Sequence, residues 1–180
     1  SDAIGHDVTI VGWPWVETTH SWMEPTAWTV MALQAAGYHE HPRVREGRRL
    51  LADRLLPEGG ANYGNTFVLG QMLRPQVAPT GLAMLALQRS DRDDGRKRFS
   101  LDYLAQALGP HEAAISLAWG LLGLAAHDRT PAEADAWLCE AAARTLTRGN
   151  EPIRLAALAL AVPLADSPLV ALAANREVAQ

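Results

Sequence analysis

The residues best suited to chemistry crowd into one short stretch. Between positions 13 and 28 stand Trp13, Trp15, Glu17, His20, Trp22, Glu24 and Trp28, so four of the six tryptophans fall within sixteen residues. Indoles can wall an apolar cavity and stabilise a cationic guest, and a carboxyl or imidazole at its mouth can donate a proton. Glu24 and His20 are the candidate proton donors. Trp13, Trp15, Glu17, Trp22 and Trp28 are the candidate ligand-binding set, and Asn62, Tyr63 and Asn65 in the loop GGANYGN should face them. Two plainer uses stay open. Large aromatics can lock successive helical hairpins together, and a glutamate in the first turn of a helix is favoured by the helix dipole.

Those residues must be held by helices, because one helix-opening phrase is written twice. Residues 24–34 read EPTAWTVMALQ and residues 78–88 read APTGLAMLALQ, so that Pro25, Thr26, Ala32, Leu33 and Gln34 recur as Pro79, Thr80, Ala86, Leu87 and Gln88. A weaker copy covers 113–126, where Ala118-Trp119 answer Ala27-Trp28, and a fourth begins at Glu151-Pro152. Self-similarity at this period marks a stacked supersecondary unit. Proline in the first helical turn, with a threonine or acid beside it, is a helix start signal at Pro25, Pro79 and Pro152, and Gly37 stops the first phrase helix. Charged, amphipathic segments at 42–56, around Leu101, Leu104 and Leu108, and at 132–146 alternate with the apolar phrase helices. A short helix after Pro168 partners 152–164, and no alternating stretch is long enough to argue for a sheet. The expectation is all-α: about four helical hairpins in two layers, phrase helices inside, forming a solenoid or an arc of an α/α toroid.

Composition bounds the partners. The chain has 180 residues, 48% of them apolar and 20% charged, which suits one soluble domain spanning 1–180. A net charge of −4 gives no electrostatic case for nucleic acid. Arg96-Lys97-Arg98, preceded by Asp91, Asp93 and Asp94, reads as a solvated loop. The lone Cys139 excludes an intrachain disulfide and a cysteine metal cluster, which suits a reducing, cytoplasmic setting. No leader peptide is visible, and the longest charge-free apolar run, Leu155 to Ala165, is too short to span a bilayer.

The sequence G-G-x-N-Y-G followed by P-T-G-L-A-M-L-A-L resembles the repeats of squalene and hopene cyclases and of protein prenyltransferase β subunits. G-W-P-W before E-P-T-A-W, through Gly12, Trp13 and Trp15, is similar to the Gly-x-Trp end of the cyclases' repeat motif. The resemblance covers about residues 12–160. It implies an α/α toroid that handles an isoprenoid or other apolar molecule. Such toroids have about six hairpins, so the resemblance also implies that four are completed by a missing N-terminal half or by a second copy in a homodimer. The cyclases protonate an alkene with the central acid of D-x-D-D directly before an inner helix. Here Asp91-Arg92-Asp93-Asp94 instead follows an inner helix, and Glu24 occupies the acid's place. Prenyl transfer needs a zinc held by Asp, Cys and His, and Cys139 has no such neighbours in sequence, so no metal and no cofactor is expected. A non-catalytic ligand-binding or scaffold domain of the same fold is the alternative, as is a structural half-toroid.

Overall fold

A computed structural model describes residues 5–88, 95–149 and 151–174. The D-R-D-D stretch at Asp91, Asp93 and Asp94 lies outside the described residues.

Among the described residues eight α-helices follow in order: α1 (Met23–Ala35), α2 (Pro42–Asp53), α3 (Val77–Ala86), α4 (Arg96–Ala107), α5 (Ala114–Ala125), α6 (Ala134–Arg148), α7 (Pro152–Ala161) and α8 (Pro168–Ala174). The expected start and stop signals operate at their positions in the sequence. Pro42 opens α2 behind His41, whose Nδ1 accepts a hydrogen bond from the Arg43 amide. Gly37 closes α1 with φ +87°; its N–H donates to Gln34 O while that of Tyr38 donates to Leu33 O, the paired bonds of a left-handed C-terminal cap. Between α2 and α3 a small antiparallel hairpin, β1 (Phe67–Val68) with β2 (Gln71–Met72), departs from the all-helical expectation. Its turn places Leu69 at φ +50° and Gly70 at φ +79°, the geometry that reverses a tight hairpin. Strands of two residues are too short to leave an alternating pattern.

The layers follow the repeat. α3 packs on α1 and α5, α5 packs on α7, and α2, α4 and α6 each lie behind the helix that precedes them. The central helices are the most enclosed: Leu82, Met84, Leu85, Leu117, Leu121 and Leu122 are all buried in one continuous core. α3 and α5 approach closely because glycines face each other at the crossing. A Cβ on Gly81 would stand 2.2 Å from Trp119 O, and one on Gly123 would stand 2.6 Å from Gly81 O.

Two expectations need correction. Arg96-Lys97-Arg98 is the first turn of α4, not a solvated loop, and the Arg96 guanidinium donates to Leu55 O at 3.3 Å. The fourth unit is not a hairpin like the other three. α8 does not pair with α7 but lies across α1, α3 and α5, burying Val170 and Ala173. A 3-10 turn at Leu164–Asp166, where Leu164 has φ +46°, redirects the chain, and Ser167 fastens it by donating to Leu160 O at 2.7 Å. Among the described residues no further inner helix lies beside α7, which keeps Ile153 76% and Leu160 36% exposed.

Candidate functional site

Local folding around the tryptophan-rich stretch begins with the repeated threonine. At Thr26 and Thr80 the hydroxyl does not cap its helix; Trp22 and Gln76 stand at the N-caps in extended conformation with no side-chain cap. Instead each threonine clamps the loop that runs in front of its helix. Thr26 Oγ1 accepts from Trp13 N–H at 2.9 Å, and Thr80 Oγ1 accepts from Ala61 N–H at 2.8 Å. The same two loops are tied a second time by backbone: Trp22 N–H donates to Trp13 O at 3.1 Å, and Gln76 N–H to Ala61 O at 2.8 Å. A serine hydroxyl completes each clamp, Ser21 Oγ taking Gly12 N–H and Ser100 Oγ taking Gly60 N–H. The repeat therefore encodes a loop anchor as well as a helix start. Both threonine hydroxyls are buried, so unmade bonds would be costly.

Trp13 is packed by this clamp against α2. The Arg43 guanidinium lies over its ring at 4.7 Å and also donates to Val11 O and Gly12 O, both at 2.9 Å. Glu46 pairs with the same guanidinium. Trp22 has the His20 ring against it, centroids 4.2 Å apart, and lies against the backbone at Gly64. Met23 N–H donates to Tyr63 O at 2.8 Å, which joins the two clamped loops. Asn62 turns back on its own loop: its Oδ1 accepts from Tyr63 N–H and its Nδ2 donates to Arg74 O.

Trp28 is used differently. It meets Trp119 edge to face, with centroids 5.2 Å apart. These two stand at matching places in the first and third copies of the phrase, while Leu82 of the intervening copy is 2% exposed. The indoles thus close across α3, a geometry worth about 1 kcal/mol beyond the area it buries. Trp15 at 59% exposure, Glu17, His20 and Tyr63 are open to solvent, and Glu24 and Asn65 are half-buried. The structure brings Trp13, Trp22, His20 and the Tyr63 loop together, but it does not gather Trp15, Glu17 and Glu24 with them around one cavity.

Two clefts bear on the candidate residues and the helix surfaces around them. One of about 370 Å³ opens beside the N-terminal segment and takes in His6, His20, Ser21, Arg54 and Asn65; of the predicted site residues it includes His20 and Asn65. A second, of about 460 Å³, is an apolar groove between α6 and α7, walled by Leu138, Ala142, Leu155, Leu158 and Val162 with the exposed Cys139 on its rim. Two side chains here escape a reading of the sequence. Arg54 continues the buried side of α2 after Leu50 and Leu51, and a charge on that apolar stripe is a readable signal. Trp119 is marked by its alignment with Trp28. Further along, His127 joins α5 to α3, its Nε2 lying 2.9 Å from Met84 O, and burial holds its imidazole below the ordinary value.

No helix among the described residues is long and apolar enough to cross a membrane. Comparison with protein-family models, with curated proteins and with solved structures returns no match for this chain.

Proposed function

We propose that the chain is a helical-repeat scaffold, an arc of the α/α-toroid kind, that works by association and pairs with a second copy of itself through α7. The observation that carries this reading is the uncovered apolar side of α7. Ile153, Ala156 and Leu160 recur at three- and four-residue spacing there and are exposed, away from the side that buries Ala157, Leu158 and Ala161. A small residue flanked by two large ones is self-complementary. In an antiparallel crossing with its two-fold axis between Ala156 and Ala157, each Ile153 lies opposite the partner's Leu160, as an isologous interface requires.

Support for association over turnover comes from the tryptophans. Trp28 is engaged with Trp119, Trp13 with Arg43, and Trp22 with His20, which are locking contacts. Light scattering on the purified chain is expected to give a dimer, and Leu160→Glu should weaken that dimer by at least about tenfold by placing a charge in an apolar contact. A wild-type chain that stays monomeric at about 0.1 mM, a concentration that would populate even a micromolar dimer, overturns the dimer. The second reading, an isoprenoid or similar apolar ligand, is favoured by the lining of the α6–α7 groove. A monomer that carries an extractable lipid, lost on Leu155→Glu, would establish that reading in its place.

A further inference from the structure

The cleft beside the N-terminal segment contains an arginine whose hydrogen-bonding capacity is only partly used. Arg54 is 5% exposed at the end of α2. One guanidinium nitrogen, Nη1, donates to Asp7 O at 3.2 Å and pairs with the Asp53 carboxylate. The Nε atom is buried without a hydrogen-bond partner, and no bond to Nη2 is made by the described residues. A buried arginine N–H without an acceptor is uncommon and costly. Nε and Nη2 form the edge of the guanidinium fork that matches two oxygens of one carboxylate or phosphate.

The surroundings suit such a guest. Ser21 Oγ accepts from Gly12 N–H, which leaves its own O–H free to donate. His20, Asn65 and His6 bring further polar groups to the walls, while Val8, Ile10 and Val11 form an apolar side. The nearby acids are already engaged. Asp53 accepts from Asp7 N–H and pairs with Arg54, and Asp7 accepts from Thr9 and Arg49. A volume of about 370 Å³ admits a small molecule, at the lower end of the usual range of roughly 300–1,000 Å³.

The geometry points to a binding site for a small organic oxyanion, a carboxylate or phosphate with a short apolar tail, whose oxygens pair with the Arg54 guanidinium. The site is independent of the α7 surface. Two probes separate the sources of the oxyanion: inorganic phosphate and butyrate, each titrated into the isotopically labelled full chain and followed by amide shifts. Saturable shifts confined to residues around Ser21, Arg54 and Asn65 are expected with at least one probe. Asn65→Asp adds a negative charge to the cleft without touching the Arg54 ion pair, and should weaken binding by about tenfold or more. Arg54→Lys keeps the charge but loses the fork, and should weaken it comparably. Saturation by phosphate alone assigns the site to phosphates, and by butyrate alone to carboxylates. If neither probe saturates, or if folded Asn65→Asp binds as tightly as the wild type, the inference is overturned.

Discussion

Gly81→Ala is expected to lower stability by about 3 kcal/mol, toward the upper end of overpacking costs, despite improving the intrinsic helix propensity of α3. Alanine gains only about 1 kcal/mol over glycine inside a helix. Against that, the new methyl would meet Trp119 O at 2.2 Å, Trp119 C at 2.4 Å and Gly120 N at 2.7 Å. All three are backbone atoms, so no rotamer change relieves the contact. α3 and α5 must separate, and the Trp28–Trp119 contact over them opens as well. Thermal unfolding should shift down by roughly 6–12 °C for a chain of this size. Gly109→Ala provides the control. No heavy atom lies within 4 Å of the place its methyl would take, and stability should stay within about 0.5 kcal/mol. Equal effects at the two glycines would contradict the close crossing.

The second large effect is expected at Thr80→Val, a swap that nearly preserves volume. It deprives the buried Ala61 N–H of its acceptor, and a buried unsatisfied donor costs about 1–3 kcal/mol. A loss of about 2 kcal/mol is expected, with the Ala61 amide exchanging faster than its neighbours in α3. Thr26→Val should act in the same way on the Trp13 amide. Thr29→Val is the comparison within α1, because that hydroxyl bonds only Pro25 O of its own helix and no loop depends on it. If Thr80→Val and Thr29→Val cost the same, the threonine of the repeated phrase is not a loop anchor.

Much of this is legible in the sequence. The recurrence of P-T and A-L-Q locates α1 and α3, and Gly37 locates the stop of α1, because proline and left-handed glycine act locally. The role of the threonines is not legible. A threonine beside a helix-starting proline reads as a cap, whereas its partners here, Trp13 and Ala61, lie thirteen and nineteen residues upstream. Long-range pairing leaves no local signature. The course of α8 is hidden for a similar reason: Pro168 predicts that a helix starts but not which surface it meets. At the candidate site, the tryptophan cluster is plain in the sequence, but its use is not. Trp28 is committed to Trp119, ninety-one positions away, and Trp15 is left in solvent. Arg54 shows the opposite case, a charge on an apolar stripe whose burial is signalled by Leu50 and Leu51.

The central claim, association through the open side of α7, is tested most directly by a cysteine beside its proposed two-fold axis. Ala156→Cys in a Cys139→Ser background leaves one thiol per chain. Two such thiols beside the axis should come close to the Cα separation of about 5–6 Å that a disulfide needs. Mild oxidation should convert most of the protein to a covalent dimer, and adding Leu160→Glu should suppress the conversion. Cross-linking no faster than that of an exposed thiol at Tyr38→Cys, with Leu160→Glu making no difference, would contradict the account.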